Sequence, residues 1–132
     1  MTIANFSSPK TATAQTVGLV TATVVSFDAA APTLVPVPSG QLMATVLLLG
    51  REATAPDFVR AMLLRSFKYE AGVLTALDGA AIVLGTTLAT GAIAGATVDL
   101  NASGTVIRGQ ATGVVGLTID WTGFLWINST SF

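Results

Sequence analysis

Residues 108–128 read RGQATGVVGLTIDWTGFLWIN, a stretch whose glycines and alternating side chains predict two strands joined by a turn. Successive side chains of a strand point to opposite faces of a sheet. One face of the second strand therefore collects four large apolar side chains: Ile119, Trp121, Leu125 and Ile127. We predict that this face packs into the core of an all-β domain.

The opposite face of the same strand begins with polar residues and then carries Phe124 and Trp126. An isolated small domain rarely leaves two large aromatic side chains exposed side by side. We therefore predict that Phe124 and Trp126 lie in a contact between subunits. The alternative is that a loop or a second sheet of the same chain covers them.

Residues 42–49, LMATVLLL, are almost continuously apolar, which is typical of a strand that is buried on both faces. A monomer built of two layers seldom buries both faces of a strand. This pattern again favours packing between subunits, so Leu47 and Leu49 join Phe124 and Trp126 in the predicted subunit interface.

Strand and turn signals also occur in the rest of the chain. Residues 17–27 are rich in valine and threonine, and prolines interrupt residues 34–40 as in an edge segment. Residues 54–72 are ambiguous: residues 54–57 resemble a helix start, whereas residues 65–70 alternate like the first strand of a hairpin. We prefer the strand. About eight short antiparallel strands with regular turns predict a jelly-roll-like β-sandwich.

Residues 1–16 are small and polar, with Ile3, Phe6 and Pro9 as the bulky or stiff points. This segment offers little core material, so we predict an extended N-terminal arm over residues 1–16 and a β-sandwich domain over residues 17–132. A chain end is ordered when something holds it. We therefore expect Ile3 and Phe6 to dock on a partner while Lys10 meets an acidic edge.

The composition limits the classes of partner. Charged residues make up 10% of the chain, against about 25% in typical soluble domains, and apolar residues make up 52%. A chain with so little polar surface favours an assembly, although a thermostable monomer or a membrane protein can share this composition. The net charge is −1 and the six lysines and arginines form no cluster, so we predict no nucleic-acid partner.

One uncharged run, residues 79–98, is long enough to be considered as a membrane span. It holds four glycines and four threonines, Asp78 and Asp99 bound it, and it lacks flanking lysine, arginine, tryptophan and tyrosine. We predict no membrane partner. The N-terminus has neither a basic region nor an apolar region, so we expect no signal peptide.

The chemistry of the side chains argues against an enzyme. The chain has no histidine and no cysteine, which removes Ser-His and Cys-His nucleophile pairs, thiolate metal sites and disulfides. Nearly all of the seven aspartates and glutamates stand beside turns or at strand ends, where solvation or capping is their usual role. No nucleotide-binding glycine pattern occurs. We predict no catalytic, cofactor-binding or metal-binding residue, and no cofactor.

Two segments carry a resemblance to a known family. Residues 111–121, ATGVVGLTIDW, resemble the V-x-G-x-x-G-x-T-I-x-W hairpin that ends a β-sandwich of tailed-phage virion proteins. Residues 65–75, RSFKYEAGVLT, are similar to the x-F-x-x-x-G-G-x-L hairpin that precedes it, with Ala71 in place of the first glycine. The resemblance covers about the second half of the chain. It implies a virion part without enzymatic activity, usually trimeric, on the head or the tail.

In larger proteins of this kind the domain is a knob at the end of a fibre, whereas here it stands almost alone. We therefore expect a homotrimeric capsid decoration (cement) protein that binds the major capsid protein on the capsid exterior and stabilises the head. Ile3, Phe6 and Lys10 of the arm are the expected capsid contacts. The alternative is a head- or tail-fibre knob that recognises a host receptor or glycan, for which Trp126 beside Asn128 would serve.

Overall fold

A computed structural model describes residues 3–5, 9–30, 39–85 and 87–131. Eleven strands follow one another in the described part: β1 (Ile3–Asn5), β2 (Lys10–Val17), β3 (Thr21–Asp28), β4 (Ser39–Glu52), β5 (Phe58–Glu70), β6 (Val73–Ala76), β7 (Ile82–Val83), β8 (Leu88–Ala89), β9 (Thr97–Ser103), β10 (Val106–Thr112) and β11 (Thr118–Ser131). A 3-10 helix, Gly91–Gly95, precedes β9.

The strands form two antiparallel sheets that pack face to face. In the large sheet, β1 and β2 share one edge of β11, β4 and β5 follow, and β6, β7 and β8 share the far edge of β5. The small sheet has the order β3-β10-β9. The prediction of an all-β sandwich is confirmed.

The pairing is nested as in a jelly roll, because the first strands pair with the last strand and β3 pairs with β10. From β4 onward the order differs from two sheets of four strands: β4 and β5 form a long hairpin within the large sheet, and β9 pairs beside β10 in the small one. The large sheet therefore has more strands than a sheet of a regular jelly roll, and the small sheet has fewer.

The core lies between the two sheets and contains the predicted face of β11. Ile119, Trp121, Leu125 and Ile127 are all buried, as the alternation predicted. The indole N–H of Trp121 donates to Oγ1 of the fully buried Thr16 at 3.0 Å. Gly50 makes room for the indole ring, since a Cβ there would lie only 2.7 Å from Trp121.

Residues 54–72 form no helix. Residues 53–57 are a loop, and β5 pairs with β6 through the two-residue turn Ala71–Gly72, in which φ is 51° and 79°. Two consecutive positive φ angles are typical of the type I′ turns that close hairpins. The preferred strand is confirmed, and the apolar spacing that resembled a helix comes from alternation, which buries Val59, Ala61 and Leu63 on one face of β5.

The predicted boundary between an arm and the domain, at residues 16 and 17, falls within strand β2. Strand β2 crosses it, pairing with β11 from Lys10 opposite Leu125 to Val17 opposite Thr118. Small side chains fit here, since every second residue of β2 faces the core and Trp121 fills the space above Thr16. The backbone edge of β11 provides the hydrogen bonds, so residues 10–16 fold against their own domain.

The described residues contain no helix with the length and apolar character needed to cross a membrane. Residues 79–98, the uncharged run, supply β7, β8, the 3-10 helix and the start of β9.

Candidate interaction surfaces

The large sheet has an apolar face directed away from the small sheet, and we call it the outer face. It carries the four residues of the predicted subunit interface, Phe124 and Trp126 on β11 and Leu47 and Leu49 on β4, all half-buried. Phe124 stands directly opposite Leu47, and the rings of Phe124 and Trp126 stack with centroids 6.5 Å apart. The four residues therefore share one surface, and its role as a contact between subunits stays a prediction.

Apolar side chains continue over the outer face beyond the predicted residues. The strand registers give three rows that cross β11, β4, β5 and its far edge. The rows are Phe124–Leu47–Met62–Leu84, Trp126–Thr45–Leu64–Ile82 and Thr122–Leu49–Arg60–Leu88. Ile82, Leu84 and Leu88 are exposed. An antiparallel sheet with one face to water normally carries polar side chains there, so this face is unusual for a monomer.

A depression of about 360 Å³ lies on the β5 side of the outer face, and we call it the hollow. Its lining residues are Leu47, Arg60, Met62, Leu84 and Gly85. Leu47 separates the hollow from the aromatic pair, because it lines the hollow and also stands opposite Phe124. Sequence reasoning missed the hollow, since its residues come from three distant segments.

The small sheet presents a polar face to solvent, in contrast to the large sheet. Arg108 Nε donates to Asn101 Oδ1 at 2.9 Å, Asn101 Nδ2 donates to Gln110 Oε1 at 2.9 Å, and Gln110 Nε2 donates to Thr23 Oγ1 at 3.3 Å. These side chains satisfy one another across the three strands. The sandwich therefore has one polar face and one apolar face.

A second apolar surface lies at one end of the sandwich, and we call it the apolar tip. Its members are Val17, Leu19, Val20 and Val115, of which Leu19 is 66% and Val115 is 73% exposed. Two hydrogen bonds join the turns that carry them, from Gly18 N–H to the Leu117 carbonyl at 2.9 Å and from Gly113 N–H to the Val20 carbonyl at 3.0 Å. Valine and leucine at turn positions, where polar residues are usual, were the overlooked sequence signal.

Two of the three residues assigned to the arm, Ile3 and Lys10, lie in strands of the large sheet. Ile3 lies in β1, which pairs with residues 128–130 of β11, and Phe6 lies outside the described residues. Lys10 is exposed at the start of β2. A chain end already paired with its own sheet has fewer backbone groups left for a partner.

Three of the described carboxylates accept hydrogen bonds at turns and loops. Asp78 Oδ2 accepts from the Ser66 N–H at 2.7 Å, and Asp57 Oδ1 accepts from the Thr90 hydroxyl at 3.3 Å. The Thr105 hydroxyl, and after it the Ala30 N–H, lower the pKa of Asp28 by hydrogen bonding to its carboxylate. Within the described ranges, no three histidine, cysteine, aspartate or glutamate side chains converge where a metal ion could be held.

No family model matches the chain, and no curated protein matches it either. Among solved structures, the tailspike protein of Acinetobacter baumannii phage AM24 is similar, with a TM-score of 0.48 and 13% sequence identity. The similarity covers 93% of this chain and 26% of the tailspike chain.

Proposed function

We propose that the chain is a structural protein of a tailed-phage virion that forms a homotrimer through its outer face. The observation that carries this proposal is the apolar outer face itself, from Phe124 and Trp126 to Leu84 and Leu88. Burying apolar area contributes about 25 cal/mol per Å², part of which offsets the entropy cost of association when a neighbouring copy covers this face. The small sheet packs on the opposite face, and among the described residues no second sheet covers this one.

Within that class, we propose a capsid decoration protein that binds the major capsid protein on the capsid exterior. Of the two segments that resemble phage virion hairpins, residues 65–75 lie in the β5–β6 hairpin. Residues 111–121 form no hairpin, because they connect β10 of the small sheet to β11 of the large sheet.

We place the capsid contact at the apolar tip rather than at residues 1–16. Rotation about a threefold axis keeps the axial direction of every subunit, so a cyclic trimer presents its three tips at the same end. One tip offers only four aliphatic side chains, much less than the roughly 800 Å² per partner of a stable interface. Three tips acting together would raise the affinity through effective concentration. Ile3, Phe6 and Lys10 stay a prediction as secondary contacts.

The test of the class is the position and copy number of the protein in virus particles. Cryo-electron microscopy and quantitative mass spectrometry against the major capsid protein would measure both. A decoration protein gives density over the capsid lattice and hundreds of copies. Particles that contain none of it would overturn the proposal.

The tip can be tested on particles stripped of the protein. Leu19→Ser combined with Val115→Ser should lower rebinding and leave the trimer mass and the melting temperature unchanged, because both side chains are exposed. The matched control is Val73→Ser, which removes an exposed valine on β6. Equal rebinding by the tip variant and the wild type would remove the tip from the capsid contact.

The second candidate function is a fibre knob that binds a receptor or glycan. It is favoured by Trp126 and Asn128, which alternate onto the same face of β11 and are both half-buried. An aromatic ring next to a polar side chain can stack against a sugar and hydrogen-bond it. A few copies per particle, at a fibre tip, would select this function over decoration.

A further inference from the structure

We infer that the trimer closes by a contact between two different parts of the outer face: Phe124 and Trp126 of one copy seat in the hollow of the next copy. The inference rests on the proposed trimer and specifies how its subunits meet. The hollow's lining residues and the aromatic pair lie on the same face of the same sheet but on different strands.

Symmetry requires two patches for such a ring. In a twofold dimer the contact is reciprocal, so two subunits would fill each other's hollow across the axis, whereas in a cyclic trimer each subunit gives its aromatic pair to one neighbour and its hollow to the other. The outer face offers this difference, with large aromatic rings on β11 and a depression along β5 and its far edge. Strands β11 and β5 flank β4, about 10 Å apart at the usual strand spacing, so each subunit can use both patches at once.

The chemistry of the hollow fits aromatic rings. Leu47, Met62 and Leu84 supply aliphatic and thioether contacts, and a methionine sulfur near a ring edge is a favourable contact. Because aromatic side chains bury large areas and pair with apolar walls, the aromatic pair is the group on this surface best suited to fill the hollow.

Arg60 supplies a second, independent match. Its side chain is exposed beside the hollow, and its guanidinium makes no hydrogen bond or ion pair with the described residues. An arginine that lies over the face of a tryptophan or phenylalanine ring is attracted by the ring quadrupole. Trp126 of the neighbouring copy would give this unpaired cation its partner.

Photocrosslinking of the full chain tests the contact. Phe124 is replaced by the photoreactive amino acid p-benzoylphenylalanine, and copies labelled with 15N are mixed with unlabelled copies before irradiation. We expect crosslinks between copies from position 124 to tryptic peptide 61–65, which contains Met62, and a covalent series that stops at the trimer. The matched control carries the same amino acid at Thr23 on the polar face and should give no crosslink between copies.

Each outcome separates the inference from the proposed function. A monomeric mass before irradiation overturns the trimer and the contact together. A trimer whose crosslinks join position 124 to β11 or to the small sheet overturns the contact alone, and so does a series that stops at the dimer.

Arg60→Ala provides a second readout that leaves the core untouched. Loss of the cation over the ring should raise the concentration at which the trimer dissociates by roughly two- to fivefold for each contact. Arg108→Ala on the polar face is the control and should not change that concentration. An unchanged dissociation midpoint for Arg60→Ala would remove Arg60 from the contact.

Discussion

Replacing each of the two tryptophans of β11 by alanine should have a different effect on the protein. Trp121 is 1% exposed and fills the core, whereas Trp126, one position from the core residues Leu125 and Ile127, is half-buried on the outer face. We expect Trp121→Ala to destabilise the subunit itself. We expect Trp126→Ala to leave the subunit folded and to weaken the trimer.

The structure sets the size of the Trp121 effect. Removing a buried tryptophan costs about 3–5 kcal/mol through lost burial and the remaining cavity. The hydroxyl of Thr16 is also deprived of its indole donor at 3.0 Å, and a buried polar group without a partner costs about 1–3 kcal/mol. Both costs fall on a domain whose total stability is typically about 5–15 kcal/mol, so much of the variant should be unfolded at 37 °C.

Trp126→Ala removes no hydrogen bond between described residues and opens no core cavity. Urea unfolding at several protein concentrations, followed by circular dichroism, separates the two effects. The unfolding midpoint of the wild-type protein should rise with protein concentration, because unfolding is coupled to dissociation. Trp126→Ala should lose that dependence while keeping the sheet spectrum. If both variants lost the same stability and kept the concentration dependence of the wild type, Trp121 would not be specific to the core, nor Trp126 to the trimer contact.

Three further predictions concern the rest of the chain. Deleting residues 2–12 should lower the melting temperature by at least about 4 °C, the shift expected for a loss of 1 kcal/mol. The reason is that β11 loses strand partners along one edge. An unchanged melting temperature would show that these residues do not stabilise the domain. Ala71→Asn should stabilise the β5–β6 turn by about 0.5–1 kcal/mol in urea unfolding, since asparagine tolerates the left-handed backbone better than alanine, with Ala80→Asn as a neutral control. Thr105→Val should raise the pKa of Asp28 toward its ordinary value of 3.8, which an NMR titration would measure. In the wild-type protein, the stability that the Asp28 carboxylate contributes is present above pH 3.8 and is lost as the pH falls through the lowered pKa.

The sequence was most informative where side chains alternate strongly. In β11 the apolar residues are large and regular, so the buried face, the outer face and the place of Phe124 and Trp126 were all predictable. The pattern of residues 65–72 also predicted the β5–β6 hairpin, although alanine, here Ala71, is unusual at a positive φ. In both cases local pattern and tertiary packing require the same conformation.

The rest depended on long-range contacts that local patterns do not carry. Strand β2 alternates threonine with alanine, and such small side chains gave no apolar signal, yet they suit the space beside Trp121. The hollow combines β4, β5 and the segment after β7, and the apolar tip combines two turns that are far apart in sequence. The composition indicates an excess of apolar surface, but only the fold shows that this surface lies on the outer face and at the apolar tip.

The central claim is that the outer face is a contact between copies, and the mass of the purified protein tests it most directly. Light scattering at micromolar concentration should give three times the chain mass of 13.4 kDa. Phe124→Ser combined with Trp126→Ser should give a single chain mass with the same sheet spectrum. A wild-type protein that has the mass of one chain and an intact sheet spectrum would contradict the claim.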